Sequence, residues 1–261
     1  MLPAKRLFAL TEIVSASPSP VVSLEELSER LQVSEQTVRR DLQKLESQGL
    51  VRRTLGGVVR VRPTQPRSEP SFENRSIAYL TYKRAIAREA CALLDEGDSI
   101  FFDASSTVLE LVRRVPPTLR AIVASSSLPA IAELTDHSGL QITAIGGELR
   151  AVSRCTGGAA ALRQISEMRF ATAFLSARAM HPVLGLTEGN ADEAALKRAL
   201  VANAERIVAL IDSSKLNRTA PHHYADIDRI ETLITDNHAD GQLLADLRQR
   251  GIQVIACRIN D

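Results

Sequence analysis

The chain has 261 residues, of which 44% are hydrophobic and 24% are charged, and its formal net charge at pH 7 is +1. Ordinary hydrophobicity with almost no net charge excludes a disordered chain, and no apolar run is long enough for a membrane-spanning helix. The three cysteines, Cys91, Cys155 and Cys257, are too widely spaced for a zinc knuckle or a disulfide framework, and the start of the chain does not resemble a secretory signal. We therefore expect a cytoplasmic protein of one or two domains that needs neither a membrane, a metal nor a cofactor.

The charges are unevenly distributed along the chain. Residues 1–62 hold ten basic and seven acidic side chains, whereas the rest holds 22 basic and 24 acidic ones. A small basic head on a mildly acidic body favours a polyanion as partner of the head, although solubility alone also explains such a charge. Three prolines follow the head, and proline continues neither a helix nor a central strand. We predict a head domain over 1–62, a linker over 63–74 and a second domain over 75–261.

The head has the pattern of three helices. Leu7, Leu10 and Val14 recur at helical spacing and predict a first helix over residues 4–15. A second helix begins at Ser23, which forms a capping box with Glu26, and a third is capped by Ser34 and ends near Gln48. The inward positions of the third helix are Val38, Leu42 and Leu45.

The third predicted helix is the expected DNA reader. Its outer face is polar and basic, and its first turns hold the side chains that suit base edges. Two β-prone runs around Gly56 and Gly57 predict a hairpin whose arginines would hold phosphates, which completes a winged helix-turn-helix. The alternative is an ordinary solvated helix face. The predicted DNA-binding residues are Ser34, Gln36, Thr37, Arg39, Arg40, Lys44, Arg52 and Arg53.

Strand-like and helical segments alternate in the second domain, which predicts an α/β fold with a mostly parallel sheet. The predicted strands are 100–102, 121–124, 142–145, 171–177, 207–211, 232–235 and 254–256. The predicted helices are 78–95, 105–114, 127–135, 157–168, 190–204 and 239–250. Ligands of such sheets bind beyond the carboxyl ends of the strands, so the residues directly after each strand are the candidate site.

Small hydroxyl residues, glycines and a lysine occupy these positions. They are 103–107 (DASST), 125–127 (SSS), 146–147 (GG) and 212–215 (DSSK). Backbone amides at helix starts, together with a lysine, form anion sites, and several such clusters at one sheet edge predict a pocket for an acidic or phosphorylated small molecule. Each cluster taken alone is also explained as a helix cap.

Two segments of the head resemble a known family. The run SEQTVRRDL over 34–42 is similar to the helix-turn-helix signature of the DeoR family of bacterial transcriptional regulators, and GLVRRTLGGV over 49–58 is similar to its wing. The loop over 15–20 is slightly longer than is usual in the family. The resemblance implies a Rossmann-like α/β effector domain after the head, similar to the ribose-phosphate isomerase and CoA-transferase folds, that senses mainly sugar phosphates.

The body also resembles this family, with departures at the predicted pocket. Gly146-Gly147, 185–187, the Glu193 to Lys197 helix and 212–215 match the family pattern. Ser105 stands where the family has glycine, Ser125-Ser126 replace Thr-Asn, and Arg178 lies in a stretch that is usually Gly and Ser. The predicted effector-binding residues are Asp103, Ser105, Ser106, Thr107, Ser125, Ser126, Gly146, Gly147, Arg178, Glu193, Lys197 and Lys215.

Three functions remain open at this point. The preferred one is a homo-oligomeric repressor of transcription and not an enzyme. A sugar phosphate or related acidic metabolite would release this repressor from a double-stranded DNA operator. The alternatives are a sugar-phosphate isomerase-like enzyme, with Asp103, Glu188 and Lys215 as acid–base groups, and a body that only oligomerises. Glu193 and Lys197 are equally explained as a surface helix pair, and Arg150 and Arg154 are either solvated or within reach of an anion.

Overall fold

The computed structural model describes residues 22–47, 51–54, 57–60 and 70–259, together with Arg6, Leu10, Ile13 and Val14. The chain divides into two compact units, Met1–Ser68 and Glu69–Asp261. Across the described ranges, no helix has the length and apolar character that crossing a bilayer requires.

The N-terminal unit contains the predicted second and third helices. They are α1 (Leu24–Leu31) and α2 (Glu35–Ser47), and the Ser23 hydroxyl caps α1 by accepting from the Glu26 amide at 3.1 Å. The four described residues of the predicted first helix are helical, and the rest of 4–15 lies outside the described residues, as do 48–50. Buried residues of the three helices form one core together with Val22 and Val58. The core consists of Leu10, Val14, Val22, Leu27, Leu31, Val38, Leu42, Leu45 and Val58.

The predicted hairpin is present and has an additional backbone tie. Strands β1 (Val51–Thr54) and β2 (Gly57–Arg60) pair antiparallel. Val22 bonds to Val58 through two backbone hydrogen bonds of 2.9 and 2.8 Å, which the sequence pattern did not indicate. Since Val22 immediately precedes the cap of α1, the hairpin and the helices form one small unit with the order of a winged helix-turn-helix.

A seven-stranded parallel sheet organises the C-terminal unit, and its strands contain the seven predicted apolar runs in whole or in large part. The strands are β3 (Ser99–Phe102), β4 (Ala121–Ser125), β5 (Leu140–Ala144), β8 (Phe170–Leu175), β11 (Ala204–Leu210), β13 (Thr232–Asp236) and β14 (Gln253–Cys257). Their order is β14-β13-β11-β8-β3-β4-β5. The chain therefore runs from β3 through β4 to the edge strand β5 and then resumes at the middle strand β8, so the switch point of the sheet lies between β3 and β8.

Helices cover both faces of this sheet. They are α3 (Phe72–Ile77), α4 (Leu80–Ala90), α5 (Ser106–Val112), α6 (Leu128–Leu134), α7 (Gly158–Ser166), α8 (Ala191–Asn203) and α9 (Gly241–Gln249). Helices α7 to α9 pack in one core with Phe101, and α3 to α6 pack in another with Phe102, so successive residues of β3 serve opposite faces.

Two small antiparallel sheets flank the carboxyl edge, and the sequence pattern did not predict them. One pairs β6 (Glu148–Arg150) with β7 (Cys155–Gly157). The other has the order β12-β10-β9, built from β9 (Ala179–His181), β10 (Gly185–Glu188) and β12 (His222–Ala225). Strands of three or four residues are too short to show an alternating pattern.

The end of the predicted linker is helical rather than extended. Helix α3 begins at Phe72, within the predicted linker 63–74, and the Ser71 hydroxyl accepts from the Asn74 amide at 3.3 Å. Phe72 is buried in the core below α3, which anchors this segment to the C-terminal unit. A hydroxyl cap and one buried aromatic residue therefore outweigh the local proline-rich composition.

Gly185 is expected to tolerate no side chain. Its φ is +70°, and a Cβ would lie 2.1 Å from the Ala225 carbonyl oxygen, so Gly185→Ala should lower the free energy of unfolding by more than about 2 kcal/mol. Gly97→Ala is the matched control, because Gly97 has a φ of +85° and open space around its Cβ position. Equal losses for the two variants in urea unfolding would show that the close approach to β12 is unimportant.

Candidate functional site

The outward face of α2 carries the residues predicted to read DNA. Val38 and Leu42 are fully buried, as predicted, whereas Gln36, Arg39 and Arg40 are exposed. Lys44 is also exposed on this helix, and Arg39 forms an ion pair with Glu35 across one helical turn at 3.6 Å. The surface of α2 therefore offers amide, guanidinium and ammonium groups on the side opposite to its core contacts.

Ser34 and Thr37 are engaged with each other at the start of α2. Their hydroxyl oxygens are 2.9 Å apart, and the Ser34 hydroxyl also accepts from the Thr37 amide at 3.3 Å. Ser34 is thus the cap of α2, as its position predicts. For Arg52 and Arg53 the structure describes the backbone of β1 alone, so the prediction for their side chains lies outside the described residues.

A buried ion pair holds α2 from its inner side. Asp41 is 3% exposed and bonds to the Arg6 guanidinium of the first helix. That hydrogen bond raises the pKa of Arg6 above its ordinary value. Asp41 is therefore the acidic residue of the signature run that serves packing, and its charge does not lie on the exposed face of α2.

A buried ammonium group occupies the switch point of the large sheet. The Lys197 Nζ lies 2.9 Å from Asp103 Oδ2, 2.7 Å from Glu188 Oε1 and 2.5 Å from the Ser176 carbonyl oxygen. Asp103 follows β3, Ser176 follows β8, and Glu188 ends β10. The Tyr224 hydroxyl donates to the same carbonyl at 2.9 Å. We call Asp103, Ser176, Glu188, Lys197 and Tyr224 the switch-point cluster.

The electrostatics of this cluster follow from one cation between two carboxylates. Burial alone would lower the pKa of Lys197, but Asp103 and Glu188 outweigh it and raise the pKa well above its ordinary value. Burial raises the pKa of Glu188, and the charges of Glu193 and Asp103 act in the same direction against the opposing ammonium of Lys197. Burial likewise raises the pKa of Tyr224 well above its usual range. Lys197 is thus held charged, and the cluster retains capacity for hydrogen bonds from hydroxyl groups.

A second set of charges lies at the ends of β11 and β13. The Lys215 Nζ is 3.4 Å from Asp212 Oδ2 and 3.4 Å from the Ser176 hydroxyl, which connects it to the switch-point cluster. Asp236 accepts from the Ser213 amide at 2.7 Å and is fully buried. Lys215 is only partly exposed, and its ammonium places a positive charge beside the Ser176 hydroxyl of the cluster.

Some of the hydroxyl residues predicted for effector binding form hydrogen bonds that support the fold, whereas one has no partner among the described residues. Ser105 caps α5 through the Val108 amide at 3.1 Å, and the Ser125 hydroxyl donates to the Phe102 carbonyl at 2.7 Å. Ser126 is buried, and its carbonyl accepts from Thr156. In contrast, the Thr107 hydroxyl is fully buried and has no hydrogen-bond partner among the described residues.

The remaining predicted effector residues lie at the rim. Ser106 donates to the Arg75 carbonyl at 3.3 Å, and the Gly146 amide donates to the Gln164 side chain at 3.1 Å. Gly147 requires its glycine for packing, since a Cβ there would lie 2.3 Å from the Gly157 carbonyl oxygen. The Arg178 side chain is exposed and makes no hydrogen bond or ion pair within the part of the chain that the structure describes.

The pairing of Glu193 with Lys197 as surface neighbours is wrong. Lys197 is 5% exposed and belongs to the switch-point cluster, whereas Glu193 pairs with Arg150 at 3.2 Å. Arg154 is exposed, as one of the two alternatives expects, and pairs with Glu73 at the surface. Glu193 and Lys197 therefore have different partners, because the carboxylates of Asp103 and Glu188 hold Lys197 in a buried position.

Sequence reasoning missed three groups near the switch point. Ser176 contributes its carbonyl and Tyr224 its hydroxyl, and neither residue can be recognised from composition or spacing. Lys83 is 3% exposed on α4, and its ammonium donates to the Arg75 carbonyl. A lysine among the alanines and isoleucine of an amphipathic helix was the available signal for Lys83.

Comparison with known protein families gives a match for each of the two units. The family description "DeoR C terminal sensor domain" matches residues 79–237, and "DeoR-like helix-turn-helix domain" matches residues 10–64. The chain is 34% identical to the HTH-type transcriptional regulator GlpR of Haloferax volcanii, covering 98% of each chain. It is 32% identical to the putative aga operon transcriptional repressor of Escherichia coli O157:H7, covering 90% of this chain and 87% of that one.

A structural likeness to a ribose 5-phosphate isomerase A from Methanocaldococcus jannaschii is weak. Its TM-score is 0.38 at 19% identity, covering 51% of this chain and 53% of the isomerase, and it therefore implies no shared activity. Both units and the full-length relatives agree instead: the chain belongs to the DeoR family of transcriptional regulators.

Proposed function

We propose that this protein is a transcriptional repressor that binds an operator through α2 and the β1–β2 hairpin. In this proposal, a phosphorylated sugar releases the protein from the operator. The observation that carries the proposal is the pairing of two features in one chain. One is an exposed basic face on a capped, well-anchored α2. The other is a cluster of buried carboxylates and lysines at the switch point of a parallel sheet, where such folds bind ligands.

The DNA half rests on the division of α2 into two faces. Arg39 and Arg40 are exposed, whereas the acidic residue that directly follows them, Asp41, points inward to Arg6. The outward surface therefore gains positive charge that the sequence count alone understates. A single head of this size covers too little DNA for tight specific binding, so the proposal includes a homo-oligomer that presents two heads to an operator with two half-sites.

Arg40→Ala should weaken binding to DNA from the region upstream of the gene by about 1–3 kcal/mol without altering the thermal unfolding midpoint. Arg39→Ala should behave similarly, and both should make affinity less steeply dependent on salt. The matched control is Arg163→Ala, which removes an exposed arginine from α7 in the C-terminal unit. Unchanged affinity of both α2 variants in a mobility-shift titration would place the reading surface elsewhere.

The effector half rests on complementary chemistry at one sheet edge. Carboxylates such as Asp103 and Glu188 accept hydrogen bonds from sugar hydroxyls, and the Lys215 ammonium offers a charge to a phosphate. The buried Thr107 hydroxyl lacks a partner among the described residues, which is the condition that a bound ligand relieves. A ligand with hydroxyls along its chain and an anionic end would satisfy all three sets of groups.

A panel of sugar phosphates and sugar acids, each beside its unphosphorylated sugar, should contain a compound that releases the protein from its upstream DNA. We expect release by a phosphorylated compound and no release by the matching free sugar, because the lysines at the switch point favour the anion. Release by a neutral sugar alone would overturn the phosphate assignment. Retention of DNA with every compound would leave a DNA-binding protein whose C-terminal unit serves oligomerisation.

The state of Lys197 supports a sensor over an enzyme. A catalytic base or nucleophile needs a pKa near the working pH, but Asp103 and Glu188 hold Lys197 protonated. Its ammonium also donates to three acceptors, one from each of three chain segments. We therefore propose that Lys197 is a fixed structural cation and that the protein does not isomerise its ligand.

Lys197→Met should lower the free energy of unfolding by about 3–5 kcal/mol, because it leaves two buried carboxylates without their cation. The loss should shrink as the pH falls, because burial raises the pKa of Glu188 and its protonation removes one of the two carboxylate charges that the variant leaves without a cation. The double variant Lys197→Met with Glu188→Gln should recover part of the loss. Equal stability of Lys197→Met and wild type in urea would refute the structural role.

A further inference from the structure

Arg178 lies at the rim of the switch-point cluster and carries a charge that the described part of the protein does not use. Its side chain is exposed and forms no hydrogen bond or ion pair with any residue that the structure describes. It follows Ser176 by two residues, and the Ser176 amide donates to Asp103 Oδ2 at 3.0 Å. The guanidinium group therefore belongs to the segment that leads directly out of the cluster.

Two contacts hold Arg178 at this rim. Its backbone amide donates to the Thr187 carbonyl at 3.0 Å, and Thr187 directly precedes Glu188 of the cluster. Its Cγ lies 4.0 Å from the position that a Cβ would take at Gly189. The aliphatic stem of Arg178 therefore lies against the residue that follows Glu188, while its charged end remains exposed.

The carboxylates of the cluster are engaged by other donors and do not pair with Arg178. Glu188 Oε1 accepts from Lys197 at 2.7 Å, and Glu188 Oε2 accepts from the Gly189 amide at 3.3 Å. Asp103 Oδ2 lies 2.9 Å from the Lys197 Nζ and also accepts from the Ser176 amide. The guanidinium of Arg178 is therefore available to an acceptor on a bound molecule.

A second cation lies on the neighbouring segment and is less exposed. Met180 of β9 forms a parallel bridge with Leu216, so Lys215 runs alongside the residue that follows Arg178. The Lys215 ammonium lies 3.4 Å from Asp212 and 3.4 Å from the Ser176 hydroxyl, and its side chain is partly buried. One partly buried and one exposed cation on adjacent segments match a ligand that carries two separate anionic groups.

We propose that Arg178 binds a carboxylate of the effector and that the effector is a phosphorylated sugar acid. The planar guanidinium offers paired N–H groups that match the two oxygens of a carboxylate, whereas an ammonium acts on a phosphate as a point charge. The inference rests on the proposed function, because it assumes a phosphorylated effector with its phosphate at Lys215. It adds a second anionic group to the ligand and names the residue that selects this group.

The test compares probes that differ in the carboxylate alone, titrated calorimetrically into the full-length protein. The pairs are glucose 6-phosphate with 6-phosphogluconate, ribose 5-phosphate with 5-phosphoribonate, and glycerol 3-phosphate with 3-phosphoglycerate, and gluconate serves as the acid without a phosphate. Wild type should bind the acid of at least one pair about tenfold more tightly than its partner, because the acid adds a charge-assisted hydrogen bond to Arg178.

Variants of Arg178 assign this preference to its guanidinium. Arg178→Gln should reduce the preference for the acid to less than about twofold while leaving the affinity for the sugar phosphate unchanged. Arg178→Lys should retain part of the preference, because it keeps the charge but loses the paired geometry. Arg218→Gln is the matched control, because it removes another exposed arginine from the segment beside β9 and should leave both affinities unchanged.

The outcomes separate this inference from the proposed function. Binding of a sugar phosphate with no gain from the carboxylate overturns the inference and leaves the proposed function intact. Equal weakening of both members of a pair by Arg178→Gln assigns Arg178 to the phosphate and overturns the carboxylate contact. Binding of gluconate as tightly as 6-phosphogluconate overturns the phosphate at Lys215, and failure of every probe to bind wild type overturns the phosphorylated effector and this inference together.

Discussion

The C-terminal unit depends on the salt bridge between the Lys197 ammonium and its two carboxylates. The parallel sheet leaves its switch point open between β3 and β8, and Lys197 closes it by joining residues that follow each of these strands. The bond to Glu188 extends the connection to the small β12-β10-β9 sheet. Removing three charged groups from water is costly, and we propose that this cost is retained because the position serves binding as well as packing.

Charge placement, more than charge number, distinguishes the two halves of the chain. In the head, Asp41 turns inward and leaves cations on the outer face of α2. In the body, Asp103 and Glu188 turn inward around Lys197, and Lys215 contacts the same cluster through the Ser176 hydroxyl. A net charge near zero thus conceals the two sites that we propose, a surface for a polyanion and a buried site for a small anion.

The sequence predicted the large elements because their signals are local. Each of the seven sheet strands is an apolar run, and most of the long helices have an amphipathic period, although α8 does not. It predicted Asp103, Lys197 and Lys215 by position after strands or by resemblance, but not their partners. Lys197 has Glu193 four residues away, yet its partner Glu188 comes from a four-residue strand that no pattern reveals. Likewise, neither the pair of Asp41 with Arg6 nor the bond of Val22 to Val58 leaves a trace in spacing.

The backbone bonds between Val22 and Val58 fix the geometry of the head. Val22 leads directly into α1, and Val58 is a buried residue of β2, so the hairpin cannot move without straining the helix that precedes α2. If the head binds DNA as we propose, it meets the duplex as one rigid body. New operator preferences would then arise by exchange of side chains on an unchanged backbone.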